Sequence, residues 1–424
     1  MHNNFLILAV IIYLSMDGNS IILFLVSVFC LLAYRNYKKC GFTLAIILYI
    51  LYVLSLLSSL AIGFIIPGYT DNVLLIPSAY LLVILPFWFN GFHCKVNIIY
   101  DPVVDYKFAK TMVWIMMPVF LYFLYYFIEL YYSGLIQTAD NIRDDLGETN
   151  FLPGNTITSI AILISQLYFI NIFLFFLGLV VGWSYRLNLL LMISSLSFPL
   201  YSLCFFGRDG LVLWIFNIAI LFILLRKKIN EKTRGRIITI LISIVGVGFL
   251  GIAYISVYRF WGRIGFSDEY IWYGTLGYFG QQIGNFSDMF YGDYEYVSTF
   301  FPGFRGMVSN LLGIEIPTYR DMLDRNGQNE EIGVFCFFTQ ILVSGYGHFG
   351  GLIFSIIFYQ IICNLSSKLN RQQNTYYFII IYTLYQIPMN GVFYYRQGVS
   401  RGDIAFALGF VILYYIYKRK KQYG

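Results

Sequence analysis

Apolar runs long enough to cross a lipid bilayer recur along the whole of this chain. The hydrocarbon core of a bilayer is about 30 Å thick, and about 20 predominantly apolar residues in a helix span it. Because unpaired backbone groups are costly in lipid, such runs are compatible with membrane helices. They predict about twelve spans, over residues 5–15, 20–34, 41–65, 73–89, 111–132, 158–181, 188–206, 211–225, 238–258, 347–366, 377–394 and 404–418.

Charged side chains are too scarce for an ordinary soluble domain. They make up 12% of the 424 residues, whereas 59% are hydrophobic, and soluble domains carry about 25% charged residues. The first residues, MHNN, lack the basic start of a secretory signal, and no small-residue cleavage site follows, so no signal peptide is predicted. The predicted fold class is therefore all-α: a polytopic helical membrane protein with a single integral membrane domain over 1–424.

The distribution of lysine predicts the orientation of the spans. Short cytoplasmic loops retain Lys and Arg, whereas short translocated loops avoid them. With the N-terminus inside, all twelve lysines fall in inner segments, among them the basic loop 226–237, and nine arginines but no lysine fall outside. Both termini are therefore predicted to be cytoplasmic, and the GRDG stretch at 207–210 is predicted to lie outside.

Two predicted outer (periplasmic) loops are long enough to build a site. The first, 133–157, is polar and acidic; the second, 259–346, is the longest segment without a span and is predicted to contain short helices. Its aromatic content argues against disorder, which requires low hydrophobicity. Trp272 and Tyr273 belong to this aromatic set. Such residues are typical of a belt at the lipid interface or of a groove that stacks on sugar rings.

Arginines in the outer segments are the sharpest candidates for anion binding, because a guanidinium pairs bidentately with phosphate or carboxylate. Arg259 and Arg263 lie four residues apart where the ninth predicted span ends. On a continuing helix they share a face, which favours an anion between them. The alternative is that both side chains extend to lipid phosphates. Arg320 and Arg325 each have an aspartate four residues away, a spacing that favours solvated salt bridges.

The GRDG stretch places Arg208 and Asp209 between two apolar runs. One interpretation is a small hinge in a functional site. The other is a polar turn, which the glycines at 207 and 210 favour because glycine permits a tight reversal of the chain. Cysteine and histidine placement predicts neither a metal site nor a cofactor. The six cysteines contain no CxxC pair, and the three histidines are widely separated.

In its arrangement the chain resembles the Wzy-type O-antigen and oligosaccharide repeat-unit polymerases. The shared features are about twelve spans, a moderate first outer loop, a large aromatic second one and GRDG on the outer side. The stretch FFTQILVSGYGHFGGLIFSIIFYQII at 337–362 is similar to the family segment in which a short helix passes through a glycine–aromatic turn into a late span. Some members carry an arginine, ten residues and then a glycine in each outer loop; Arg143 with Gly154 and Arg263 with Gly274 fit this pattern.

The resemblance implies a glycosyltransferase of the bacterial inner membrane. It polymerises undecaprenyl-diphosphate-linked oligosaccharide repeat units on the periplasmic face, among membrane lipids and beside a Wzz-type chain-length regulator, with no cofactor and no nucleic-acid partner. The implied catalytic residues are Arg263, Arg259, Arg208 and Asp209. The implied substrate-binding residues are Arg143, Arg320, Arg325, Trp272, Tyr273 and His348. The candidates for a general base are Asp209, Asp321, Glu330 and His348.

Two other functions stay open at this point. An O-antigen ligase-like glycosyltransferase shares the lipid-linked donor and the large outer loop but transfers to the lipid A core. A polysaccharide or lipid transporter (flippase) is expected to hold ionisable residues at mid-membrane and to have short loops. The predicted span centres are nearly free of charge, which favours the transferases.

Overall fold

A computed structural model describes most of the predicted spans and parts of the outer segments. The residues described are 17–93, 104–132, 152–153, 155–204, 209–235, 237–239, 246, 276–277, 279–291, 336–372, 375–393 and 409. Within these residues the regular structure is helical and contains no strand. The predicted all-α class is therefore confirmed.

The helices are numbered in chain order. They are α1 Gly18–Cys40, α2 Leu44–Ile65, α3 Leu75–Asn90, α4 Val104–Tyr132, α5 Thr156–Ser165, α6 Tyr168–Val181, α7 Tyr185–Ser194, α8 Ser197–Leu203, α9 Asp209–Leu225, α10 Gln282–Phe290, α11 Thr339–Gln372 and α12 Thr375–Asn390.

Several helices have the length and composition of membrane spans. Five segments qualify in the described part: Gly18–Cys40, Leu44–Ile65, Asp105–Leu130, Tyr185–Leu203 and Gly345–Arg371. Helices α5 and α6 qualify together although they are bent by 43°, which makes six. Helices α3 and α9 are apolar but shorter. The membrane character is as predicted, whereas the total of about twelve spans and their orientation stay predictions. The predicted spans 5–15, 238–258 and 404–418 lie wholly or largely outside the described residues.

The ends of α1 illustrate how local sequence sets helix boundaries. Asp17 precedes the first turn, and its carboxylate accepts a hydrogen bond from the Ser20 backbone nitrogen at 3.1 Å, which satisfies an otherwise unpaired amide. Lys38 and Lys39 occupy the last turn, where positive charge is favourable beside the terminal carbonyls. Gly41 then adopts a φ of 73°, a region that favours glycine and ends the helix.

Large apolar side chains face outward from the spanning helices. Trp114 and Tyr132 of α4 are 80% and 82% exposed, and Phe349 of α11 is 75% exposed. A soluble protein rarely exposes contiguous apolar area, whereas lipid chains cover such a surface in a bilayer. The outward faces therefore agree with the membrane class.

The chain divides into two compact units. Unit 1 comprises residues 1–95, 260–372 and 381–403, and unit 2 comprises residues 96–259, 373–380 and 404–424.

Unit 1 has an aromatic core. The Trp88 ring of α3 stacks on Phe358 of α11 with 3.8 Å between ring centroids, and Trp88 Nε1 donates to Ser355 Oγ at 2.9 Å. Tyr52 of α2 stacks on Phe337 with 5.2 Å between centroids. Aromatic contacts of this kind stabilise beyond their buried area. Here they join α2 to the residues just before α11 and α3 to the middle of α11.

Unit 2 is built around α4, which packs against α5, α7 and α8, while α9 packs against α6 and α8. One buried apolar cluster consists of Val119, Phe123, Leu152, Ala161, Ile162 and Cys204. A buried polar contact lies in the same unit, where Thr375 Oγ1 donates to Asp105 Oδ2 at 2.9 Å. This hydrogen bond partly offsets the cost of burying the carboxylate.

Candidate functional site

The short helix α10 belongs to the predicted outer loop 259–346 and is packed into unit 1. Its buried residues are Gln282, Ile283, Gly284, Phe286, Ser287, Met289 and Phe290. Gly280, just before the helix, permits this close approach, because a Cβ atom there would lie 2.7 Å from the backbone nitrogen of Ser59 in α2. This part of the loop is therefore an element of the core.

Two polar contacts fix the rotation of α10 against its neighbours. Ser55 Oγ of α2 donates to Gln282 Oε1 at 3.2 Å. The Leu74 backbone nitrogen, just before α3, donates to Ser287 Oγ at 3.2 Å. Buried polar groups require partners, so these bonds favour one orientation of the helix.

Asp288 of α10 is half-buried against Asn72, which lies in the turn between α2 and α3. Asn72 Nδ2 donates to Asp288 Oδ2 at 2.7 Å; since a carboxylate accepts, this contact assigns the amide nitrogen of Asn72. Burial raises the pKa of the Asp288 carboxyl, and the hydrogen bond from Asn72 lowers it in part. Asn72 Oδ1 is buried and has no hydrogen-bond partner among the described residues.

His348 lies beside α10 at a break in α11. Gly347 interrupts that helix with a φ of 71°, and the His348 ring packs on Phe290 with 4.2 Å between centroids. His348 Nε2 donates to the Phe290 carbonyl oxygen at 3.0 Å. Because a carbonyl accepts, this contact assigns a proton to Nε2. The Tyr80 hydroxyl donates to the His348 carbonyl oxygen at 2.7 Å, which holds the break in place.

Asn72 and Asp288 form what we term the Asp288 cluster. His348 lies at the end of the same helix, where it contacts Phe290. The cluster contains two hydrogen-bond acceptors, the half-buried carboxylate and the buried Asn72 Oδ1 atom. A ligand rich in hydroxyl donors is complementary to this set. A half-buried carboxylate whose pKa is raised is also suited to take a proton from a hydroxyl.

No metal-binding group is evident in the part of the chain that the structure describes. There, no three His, Cys, Asp or Glu side chains are close enough to hold a metal ion.

Two of the predicted site residues lie within the described part, His348 in unit 1 and Asp209 in unit 2. The residues outside it are Arg143, Arg208, Arg259, Arg263, Trp272, Tyr273, Arg320 and Arg325, together with Asp321 and Glu330. The predicted roles of those ten residues stay predictions.

Asp209 is the first residue of α9 and accepts a hydrogen bond from Ser202 Oγ. Ser202 Oγ in turn accepts from the Gly210 backbone nitrogen at 3.2 Å. A Cβ atom on Gly210 would lie 2.5 Å from Ser202 Cβ, so only glycine permits the close approach of α8 and α9. These contacts place Asp209 at the start of a helix, where negative charge is favourable. Gly207 and Arg208 lie outside the described residues, so both interpretations of GRDG stay predictions.

Asp288 was not among the residues singled out from the sequence. Its local signal is weak: a single carboxylate in the otherwise uncharged stretch QIGNFSDMFYG. Its partner Asn72 is 216 residues away, so only the fold brings the pair together.

Comparison of the chain with protein-family models, with curated proteins and with solved structures finds no match.

Proposed function

We propose that the chain is a membrane glycosyltransferase that polymerises undecaprenyl-diphosphate-linked oligosaccharide repeat units. The observation that carries the proposal is the Asp288 cluster, in which a segment of the long predicted outer loop half-buries a carboxylate against the amide of Asn72. Asn72 and Asp288 fall in predicted outer segments, and His348 falls at the outer end of the predicted span 347–366. The resemblance in span and loop arrangement supports the same class.

The acceptor sugar hydroxyl oxygen forms a bond to the anomeric carbon of the donor chain, and the bond from that carbon to the lipid diphosphate breaks. Undecaprenyl diphosphate leaves with the electron pair, and the hydroxyl proton passes to the carboxylate of Asp288. In this proposal Arg259 and Arg263 stabilise the charge that develops on the diphosphate, and Arg143 contacts the acceptor unit.

In this proposal Asn72 orients the Asp288 carboxylate through the hydrogen bond from its Nδ2 atom, and His348 contributes to binding of the acceptor sugar, as the resemblance implies. Positioning of this kind contributes to catalysis by reducing the entropy cost of bringing reactants together. The proposal also includes the predicted architecture: about twelve spans, cytoplasmic termini, the bacterial inner membrane and a chain-length regulator as partner.

The test is the glycan ladder of a strain in which the gene is deleted. Polymerase loss is expected to collapse the ladder to lipid A core carrying a single repeat unit, and the wild-type gene is expected to restore it. Core without any repeat unit would instead identify a ligase. An unchanged ladder would remove the polymerase function for that glycan.

Arg263→Ala in the complementing gene is expected to reduce polymerisation by about 10²-fold, the loss typical of one donor that stabilises a developing anion. Arg263→Lys keeps the charge but loses bidentate pairing, so it is expected to restore little activity. Both are measured as ladder length at matched expression. Full rescue by lysine would contradict a bidentate role, and full activity of the alanine variant would contradict any role in anion binding.

Asn72→Ala is expected to move the acid limb of the activity profile to higher pH. Burial raises the Asp288 pKa and the hydrogen bond from Asn72 lowers it, so removing Asn72 raises the pKa further. A base must be deprotonated, and activity is therefore lost as pH falls through this pKa. Polymerisation rates of purified protein in proteoliposomes at a series of pH values provide the measurement.

Asn36→Ala is the matched control for the pH experiment. It removes the hydrogen bond from Asn36 to Asn90, which lies elsewhere in unit 1. The control is expected to keep the wild-type acid limb. Identical acid limbs for wild type and Asn72→Ala would contradict the role of Asp288 as the titrating base.

A further inference from the structure

A face rich in tyrosine lies along the last turns of α4 in unit 2. Tyr125, Tyr126 and Glu129 lie three, four and seven residues after Tyr122, so the four side chains share one side of the helix. The centroid of the Tyr126 ring is 4.9 Å from that of Tyr122 and 5.1 Å from that of Tyr125. The Tyr125 side chain is 62% exposed, and Glu129 is exposed as well. We term these four residues the tyrosine face.

A chain of hydrogen bonds joins the tyrosine face to the start of α5. Asn155 Oδ1 accepts from the Thr158 backbone nitrogen at 2.8 Å and from Thr158 Oγ1 at 3.0 Å. The Thr158 hydroxyl has given its single proton to Asn155, so in its contact with Tyr122 it accepts. Tyr122 has likewise used its proton and accepts from the Tyr126 hydroxyl, with which it is hydrogen-bonded. The chain therefore runs from Tyr126 as first donor to Asn155 as last acceptor.

The direction of this chain determines what its outer end can bind. The proton of Tyr126 is engaged with Tyr122, so the Tyr126 oxygen offers only its lone pairs to a ligand. Glu129 is close enough to Tyr126 to act on it electrostatically, and an ionised carboxylate is an acceptor only. A ligand that donates hydrogen bonds from several hydroxyl groups is complementary to this pair. Phosphate is not, because it has the same sign of charge as Glu129.

The position of Glu129 favours a binding role over a belt of tyrosines at the lipid interface. Glu129 lies one residue before the end of the candidate span Asp105–Leu130. Ionisable side chains within spans are costly and mark substrate pathways. A belt accounts for tyrosines at the depth of the lipid headgroups, but Tyr122 and Glu129 are about 10 Å apart along the helix axis. A belt also gives no reason for the carboxylate or for a directed chain of hydroxyl groups.

We propose that the tyrosine face binds the oligosaccharide of a lipid-linked repeat unit. The Tyr126 oxygen and the Glu129 carboxylate accept hydrogen bonds from sugar hydroxyls, and the exposed Tyr125 ring packs against the apolar face of a sugar ring. The identity of this ligand rests on the function proposed above. The acceptor chemistry of the face follows from the contacts within unit 2.

Binding to the full-length protein in phosphatidylcholine nanodiscs tests the proposal. The two probes are the lipid-linked repeat unit extracted from the deletion strain and undecaprenyl diphosphate without sugar. Glu129→Gln is expected to weaken binding of the first probe about tenfold, the effect of one hydrogen bond to a charged group. Tyr126→Phe keeps the ring but removes the hydroxyl, and it is expected to weaken this binding about fivefold. Neither variant is expected to change binding of the sugar-free probe.

Glu231→Gln and Tyr185→Phe are the matched controls, since each changes an exposed side chain elsewhere in unit 2. Both are expected to keep the wild-type affinity for the two probes. Unchanged affinity in either tyrosine-face variant overturns the proposal, as does a loss of the same size in the controls. Equal losses for the two probes also overturn it, because they identify a contact with the lipid rather than with the sugar.

The glycan ladder of the deletion strain decides the polymerase function separately. A collapsed ladder together with unchanged binding in the variants would remove this saccharide site and leave the polymerase function standing. Wild-type protein that binds the repeat unit no more tightly than undecaprenyl diphosphate would contradict any site for the sugar.

Discussion

Asp288→Asn is expected to lower the rate of repeat-unit polymerisation by about 10²- to 10⁴-fold, the range that general acid–base catalysis contributes. The substitution keeps the size and shape of the side chain but removes its charge and its capacity to take a proton. The Asn72 contact can persist, because either amide can supply an acceptor oxygen to the other. Turnover of purified protein in proteoliposomes, together with the ladder of the complemented strain, provides the measurement.

Stability separates loss of chemistry from loss of structure in this variant. Burial raises the pKa of Asp288, so the folded protein binds this proton more tightly than the unfolded chain does. Stability therefore falls as pH rises through the window between the unfolded and folded pKa values, and at neutral pH the ionised group destabilises the fold. The Asp288→Asn protein is expected to be at least as stable as wild type at neutral pH. A functional residue that costs stability is a recognised trade-off.

Asp71→Asn is the matched control for Asp288→Asn. Asp71 precedes Asn72 in the same turn, but its side chain is exposed. It is expected to retain wild-type turnover. Equal losses in both variants would point to surface charge rather than to the Asp288 cluster, and wild-type turnover of Asp288→Asn would remove Asp288 as the base.

The positions of several apolar helices could be predicted, because a helix that crosses the lipid needs an apolar run of about 20 residues. The run predicted at 41–65 corresponds to the span-length helix Leu44–Ile65, and the run predicted at 73–89 corresponds to the apolar but shorter helix Leu75–Asn90. Gly347, with a φ of 71°, interrupts α11 within 337–362. An apolar run is a property of local sequence, so local sequence is sufficient to find these helices.

The candidate site could be predicted less well, because it depends on contacts distant in sequence. His348 was predicted as a site residue, and its role stays a prediction. Helix α10 lies in a stretch whose aromatic residues suit a belt, a groove and a buried helix equally. Helix α10 packs on α2 because Gly280 lies close to the backbone of Ser59. The periodicity of apolar residues in the sequence does not predict such a contact. Asp288 likewise acquires its raised pKa from burial in the assembled unit. The arginine pairs, by contrast, were predicted from spacing alone and lie outside the described residues.

Gly280→Val is expected to displace α10 and to reduce polymerisation by about 10²-fold or more. A Cβ atom at this position would lie 2.7 Å from the Ser59 backbone nitrogen and 2.9 Å from the Ser58 carbonyl carbon. Backbone atoms cannot rotate aside as a flexible side chain can, so α10 must move outward with Asp288. A misplacement of about 1 Å in a catalytic group is sufficient for a loss of this size. The measurements are turnover in proteoliposomes and the thermal unfolding midpoint.

Gly277→Val distinguishes displacement of α10 from the general cost of a branched residue near this helix. A Cβ atom at Gly277 meets no atom of the described residues within 4 Å, so this variant is expected to retain most of the activity. Gly280→Ala adds one methyl group and is expected to fall between wild type and Gly280→Val. Equal turnover for the two valine variants would mean that docking of α10 on α2 does not position the catalytic carboxylate. A loss of turnover that grows with side-chain size at Gly280 and is not seen at Gly277 would instead support a base on α10. The contact of Gly280 with α2 would then position that base without taking part in the reaction.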